Sequence, residues 1–259
     1  MSGTADPLYS PVNCIKPVCD DVWIVDGSQV RFGFGWPKFS FTTRMTIVRL
    51  GSKLFVHSPT ELTDNLQSQL ATLGTVAWLV EPNRIHYSWI VPWQRAYPDA
   101  AVFLAPKIER HIPIDFPHSV LDGRGRYPWD ECIRTLPISS SYMTEVEFFH
   151  VPSRTLILTD LIENFEPRKL PSRAMRWLTR WAGVITPHGG MPTDMKLTFI
   201  GRKRQLRAAV AQMIEWNPTR IVISHGRWFE ADGAVVLRRA FAWLKIAADP
   251  ASAAGLPPR

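Results

Sequence analysis

The stretch that decides the architecture is "TVAWLVEPNRIHYSWIVPWQRAYPDAAVFLAP", Thr75 to Pro106. It opens on a continuous apolar run, Val76 to Val80, and closes on another, "AAVFLAP" at 100–106. Short apolar runs without polar alternation suit strands buried on both faces. Between them the pattern predicts a helix over Tyr87 to Tyr97, interrupted or restarted by Pro92. Strand, long connection and strand imply a crossover between parallel strands, hence an α/β sheet. The first run does not stop in a plain turn. Glu81, Pro82, Asn83, Arg84 and His86 follow it within six residues, and a polar cluster at the end of a buried strand needs a chemical reason.

The same grammar extends outward in both directions. "VWIVDG" (22–27) and "MTIVRLGSKLFVHS" (45–58) read as strands, the second folded into a hairpin about Gly51-Ser52. "SPTELTDNLQSQLATLG" (58–74) reads as a helix capped by Ser58 or Thr60, with Pro59 in the first turn and Gly74 as the stop. Residues 107–142 are rich in Pro, His and charge and show one strand, at "SVLD". "TEVEFFHV" (144–151) and "TLILTD" (155–160) are strands around a tight "PSR" turn. Residues 170–184 are basic, Trp-rich and predicted helical. The segment 203–216 is an amphipathic helix with Leu206, Val210 and Ile214 on one face. "TRIVISHG" (219–226) is a strand, and 233–248 a last helix. Without an internal repeat or a clear linker, 1–259 reads as a single domain with a loose N-terminal arm at 1–20 and a flexible tail at 249–259.

Composition bounds the function. The 259 residues are 46% hydrophobic, ample for a core of several layers. Eleven tryptophans point to a packed aromatic core, with a ligand cleft as the alternative. The net charge of +7 is concentrated in the C-terminal third, as in Arg168-Lys169, Arg202-Lys203-Arg204 and Arg238-Arg239. No specific nucleic-acid motif accompanies it, so the charge reads as a solvated basic surface. Three cysteines, Cys14, Cys19 and Cys132, form no CxxC pair. The first ten residues are polar, and no apolar run approaches about 18 residues. The expectation is a cytoplasmic protein with no membrane span. No motif specifies an oligomer.

Three apolar strands end in side chains able to ligate a metal: "VAWLVEPNRIH" with Glu81, Asn83 and His86, "TLILTD" with Asp160, and "RIVISHG" with His225. In open α/β sheets, ligands bind where loops converge beyond strand C-termini. A carboxylate and two imidazoles meeting there suit a divalent cation. Each residue taken alone has a structural alternative: a capping or surface role for His86, a cap at Asp160, a hydrogen-bonded core histidine at His225.

"LVEPNRIHYSWIVPWQRAYPDAAVFLAP", "LILTD" and "VISHG" together resemble the metallo-β-lactamase superfamily. There a strand ends in H-x-H-x-D-H, a helix follows, and a "YP-x-A-x-V" segment opens the next strand. Aligning His86 with the last histidine of that motif places Glu81 and Asn83 on the first two histidines and Ile85 on the aspartate. "LILTD" resembles the segment whose aspartate bridges two metals, and "VISHG" the late strand ending in the last histidine ligand. The resemblance therefore implies His86, Asp160 and His225 as metal ligands. The wider set, with "VHSP", "FFHVPSRTLILTDLIENF" and "VISHG", is more similar to an uncharacterised domain-of-unknown-function branch of the superfamily, over about residues 20–245. The fold it implies is a four-layer αββα sandwich, two mixed sheets with helices outside.

The ligand motif is degenerate. Ile85 cannot ligate, and the histidine of the family's "GHTPG" has no clean counterpart. His150 lies ten residues before Asp160 and is either a ligand or a strand-end histidine. Asn83 is a further ligand or a supporting group. Glu81 is the candidate catalytic base, the alternative being a salt bridge to Arg84 or Arg154. His57 follows another strand and is a candidate lining residue. Ser153 and Arg154 are candidate binders of an anionic substrate group, or a tight turn. One Zn²⁺ or Fe²⁺ on this set would activate a water for hydrolysis of a small anionic substrate. The alternative is a non-catalytic member of the fold, metal-free at its degenerate site, binding a metabolite or a protein partner.

Overall fold

The structure, a computed structural model, describes residues 8–32, 39–170 and 172–246. The tail expected at 249–259 and the first seven residues of the expected arm lie outside the described residues. Ile15–Cys19 corrects the rest of that arm. It is a strand, β1, antiparallel to β2 (Val22–Phe32), with Ile15 opposite Val25. Pro11 and Pro17 argue against regular structure in this segment, but an edge strand tolerates proline where its neighbour needs no donor.

Strand β2 pairs antiparallel with β3 (Phe39–Leu50), which turns at Gly51-Ser52 into β4 (Lys53–His57) as the sequence predicts. Helix α1 (Asp64–Leu73) starts later than expected. Its cap is Thr63, whose Oγ1 accepts from the Leu66 N–H, while Ser58 and Thr60 stay outside the helix. Gly74 ends it at φ 157°, where a side chain would run into the Ser52 carbonyl, 2.5 Å from an ideal Cβ. There follow β5 (Thr75–Glu81), α2 (Ile90–Ala96), β6 (Ala101–Leu104) and β7 (His118–Val120). Strands β4 to β7 are mutually parallel, so the first sheet is mixed, in the order β1-β2-β3-β4-β5-β6-β7.

The second sheet takes β8 (Ile133–Ser139), β9 (Thr144–His150), β10 (Thr155–Ile157) and β11 (Arg220–Val222), in the order β11-β10-β9-β8. Only the β10–β11 pair is parallel. Strand β8 is not evident in the sequence because five of its seven residues are exposed or partly exposed and Pro137 sits inside it. Helices α3 (Arg173–Trp181), α4 (Thr193–Thr198), α5 (Lys203–Glu215) and α6 (Gly233–Ala240) complete the chain.

Two apolar clusters define the layers. One joins α1 and α2, through Leu66, Leu70, Ile90 and Trp93, to the first sheet and on to Val146, Phe148 and Ile157 of the second. Phe55 and Phe148 meet ring to ring across the sheets at 5.2 Å, with Trp129 edge-on to Phe55 at 4.8 Å. The other packs Leu206, Val210 and Ile214 of α5 and Leu237 of α6 on the outer face of the second sheet. The architecture is thus the four-layer αββα sandwich with two mixed sheets. The loops that follow β5 in the first sheet and β10 in the second meet at one edge of it, and that edge carries the site.

Candidate metal centre

His86 comes from the loop between β5 and α2, Asp160 from the loop after β10, and His225 from the loop after β11. The three side chains are 9%, 8% and 6% exposed. One ligating atom from each lies within 4.8 Å of the others. His86 Nε2 is 3.3 Å from Asp160 Oδ2, and His225 Nε2 is 3.0 Å from Oδ1. Two ligand atoms on a tetrahedral cation with bonds of about 2.05 Å stand about 3.3 Å apart. The donor set is a candidate site for a small divalent ion.

The tautomers point the same way. The Thr42 carbonyl, 2.7 Å from His225 Nδ1, can only accept, so Nδ1 carries a proton and Nε2 faces the carboxylate. A lone pair opposite a carboxylate needs either a second proton or a cation between them. Without a metal, burial disfavours the imidazolium of His225, but the hydrogen bond and charge of Asp160 prevail and push its pKa up to about 9. Burial likewise opposes ionisation of Asp160. The charge of His86 and the hydrogen bonds of His225 and His86 outweigh it and hold the carboxyl well below its usual range. His86 Nδ1 is fixed by Ser58 Oγ at 2.7 Å.

Each loop is held by groups that spacing did not single out. Glu145 Oε1, from β9, accepts the backbone N–H groups of Thr159, Asp160 and Leu161 at 3.0, 2.8 and 3.0 Å. Arg44 Nη1, from β3, donates to the carbonyls of Ile223 and Gly226 on either side of His225, both at 2.8 Å. Its Nη2 pairs with Asp26 at 2.6 Å. At Gly226 an ideal Cβ would stand 2.2 Å from the Asn164 carbonyl, so only glycine closes this loop. The sequence places two carboxylates, Glu145 and Glu147, in the otherwise apolar strand "TEVEFFH" but carries no sign of which loop Glu145 holds.

Asn83 is a clamp. Its Nδ2 donates to Asp160 Oδ2 at 2.6 Å and to Thr159 Oγ1 at 3.0 Å, and its Oδ1 accepts the N–H groups of Ile85 and His86. It fixes the His86 loop against the Asp160 loop. Glu81 is buried at the end of β5, with no hydrogen-bond partner for Oε1, and burial raises its pKa well above the ordinary value. That shift works against the carboxylate form a general base requires. Nor does it pair with Arg84, which stacks on Tyr142, or with Arg154. His57 is buried against Phe148, and neither ring nitrogen has a partner among the described residues. Burial and the charge of His86 bring its pKa down to about 3.

For three residues with two open readings, the structure shows the strand-end and turn placements. His150 pairs with Thr155 at the start of β10, the end of the sheet away from Asp160, and bonds Ser153 Oγ through Nδ1 at 2.7 Å. Ser153 in turn donates to Thr155, and Arg154 donates to the Asn217 carbonyl. These three residues belong to a turn at the far end of the hairpin and do not reach the site.

The cluster opens into a cavity of about 410 Å³. Ile85, Tyr87, Trp89, Tyr142 and Met195 give it a largely apolar wall, and Glu163 and Asp194 add carboxylates. Burial pushes the Glu163 pKa up to about 8, against the opposing charge of His225. Glu163 was missed because it follows Asp160 by three residues inside "TDLIENF", with no spacing rule to mark it.

An αββα sandwich of two mixed sheets with helices outside is the metallo-β-lactamase-like fold, and the His-Asp-His cluster lies at the edge where β5, β10 and β11 end. The family model described as a domain of unknown function, DUF4336, matches residues 20–174, and the chain belongs to that family. Among solved structures it is similar to the DIM-1 metallo-β-lactamase exposed to ceftazidime, with a TM-score of 0.60 and 13% identity over 91% of this chain and 97% of that one. It is also similar to FIM-1 from Pseudomonas aeruginosa in its mono-zinc form (TM-score 0.59, 10% identity, 94% and 97% covered) and to VMB-1 (0.58, 13%, 97% and 100%). Identities this low establish the shared fold. No curated protein sequence matches the chain.

Proposed function

We propose that the chain is a metal-dependent hydrolase of a small, largely apolar substrate, acting in the cytoplasm as a single domain with one Zn²⁺ or Fe²⁺ held by His86, Asp160 and His225. The observation that carries this reading is the convergence of those three donors, within 4.8 Å, on the wall of a cavity. When bound, the cation supplies an activated water and polarises the scissile group. The free thiols of Cys14, Cys19 and Cys132 suit a reducing compartment.

The chain's own groups have distinct tasks in this reading. Asn83 and Glu145 hold Asp160 in place, and Arg44 and the Thr42 carbonyl orient His225. Glu163, on the cavity wall and with its pKa pushed up by burial, is the proton-transfer group in place of Glu81. The apolar wall excludes water and strengthens every charge interaction within. An anionic substrate loses its support with Ser153 and Arg154. Among the described residues the lining carries Glu163 and Asp194 and no Lys or Arg.

One observation favours a second reading. Asn83, His86 and His225 already satisfy both oxygens of Asp160, so a metal-free network is self-consistent, as a binding protein without turnover would need. Metal analysis of tag-free protein separates the two. The hydrolase reading expects close to one equivalent of transition metal, lost in Asp160→Ala, and a melting temperature that falls on chelation. Metal-free protein whose melting temperature ignores added Zn²⁺, Fe²⁺ and Mn²⁺ overturns it.

A further inference from the structure

Helix α3 wears its apolar stripe on the outside. Ala174, Trp177, Leu178 and Trp181 follow the spacing i, i+3, i+4, i+7 and so share one face. That face points to solvent: Trp177 is 69% exposed, Trp181 68% and Leu178 39%. The face toward the protein is anchored by the buried Thr179. Surface helices of globular proteins carry the opposite arrangement, and exposed tryptophans one turn apart mark an interaction surface.

The charges beside the stripe identify the occupant. Arg173, Arg176 and Arg180 form the helix's other flank, all exposed, and among the described residues none pairs with a carboxylate. From Pro167 to Thr193 the chain has five Lys and Arg and no Asp or Glu. A protein partner covering two tryptophans and a leucine would ordinarily answer such a flank with acidic residues in fixed positions. A bilayer of anionic lipids answers it without any. Tryptophan at headgroup level, arginine at the phosphates and low overall hydrophobicity are the properties of a helix that lies in the membrane interface. No described helix is long and apolar enough to cross a membrane, so contact of this kind is peripheral.

The placement relative to the cavity is specific. Thr193 Oγ1, at the start of α4, bonds the Ala182 carbonyl that closes α3. Helix α4 lines the cavity through Met195 and Thr198 and exposes Leu197, at 61%, beside them. We infer that α3 docks this protein on anionic phospholipid surfaces, with Trp177, Leu178 and Trp181 inserted into the headgroup boundary and α4 carried to the same side.

The test is sedimentation of the full chain with vesicles of phosphatidylcholine alone or with about 30% phosphatidylserine. Binding should require the anionic lipid and fall with added salt. Trp177→Ser/Trp181→Ser should weaken it at least tenfold, and each of Arg173→Gln, Arg176→Gln and Arg180→Gln by about fivefold. Unchanged circular dichroism and melting temperature in these exposed variants keep loss of binding separate from loss of fold. Absence of binding to either vesicle overturns the inference. So does a concentration-dependent self-association, seen by sedimentation velocity, that Trp177→Ser/Trp181→Ser abolishes, because the stripe would then be a contact between copies of this chain.

Discussion

Replacing Glu145 by methionine tests whether the metal centre depends on one buried carboxylate. Its Oε1 is the acceptor for three consecutive amides, at 2.8 to 3.0 Å, in the loop that carries Asp160. Methionine fills a similar volume and accepts nothing useful, so three buried N–H groups are stranded. Each costs about 1–3 kcal/mol. Loop relaxation and water entry favour the low end, for a loss of about 3 kcal/mol. Against this, burial and the charge of Asp160 raise the pKa of Glu145, so deleting a desolvated carboxyl returns part of the loss. The net expectation is about 2 kcal/mol for Glu145→Met. Glu145→Gln keeps a carbonyl acceptor and should lose about 1 kcal/mol or less. Urea unfolding at pH 7 measures both, and hydrogen exchange of amides 159–161 locates the damage. A methionine variant within about 0.5 kcal/mol of the parent, with those amides still protected, would refute the claim that Glu145 holds this loop.

Other expectations follow from the same geometry. The pKa of His57 falls from 6.5 unfolded to about 3 folded, so below pH 6.5 the unfolded chain binds a proton that the native state refuses. Stability should drop by about 1.4 kcal/mol per pH unit through that window, about 2 kcal/mol at pH 5, and His57→Gln should remove this component of the slope in pH-dependent melts. Glu81 is the reverse case: its folded pKa is raised, so its contribution declines as pH rises above about 4.5. Glu81→Gln should therefore raise the melting temperature more at pH 8 than at pH 4, and lower metal content in that variant would contradict a non-ligating role. His150→Ala should leave metal stoichiometry untouched, since its imidazole is spent on Ser153 at the other end of the sheet. A chelator titration that finds weaker binding in this variant would reopen its place as a ligand.

Most segments that became elements were legible in the sequence, β1 and β8 being exceptions. Continuous apolar runs separated by a helical period, as from Val76 to Ala105, leave few options beyond parallel strands joined by crossovers, because a strand buried on both faces must be covered by helices. The sequence also marked His86, Asp160 and His225 as polar ends of apolar strands. Direction and closure were decided only in three dimensions. His150 is ten residues from Asp160 and looked close, yet β9 and β10 are antiparallel and His150 pairs with Thr155. Five further residues at about 3.3 Å each then separate it from Asp160 by most of a strand's length. His86 and His225 are 139 positions apart and meet because their loops leave the same edge of the sandwich. Glu145 and Arg44 were illegible for a related reason. A buried charge declares that it has a partner, but the loop contacts these two residues make are to backbone groups 14 to 182 residues away, and backbone carries no sequence signature. Ser58 shows the same limit at short range. Its residue type suits a helix cap, while the fold turns it toward His86 and leaves the cap to Thr63. Local chemistry fixes what a side chain is able to do, and the packing of distant strands decides which of its partners arrives.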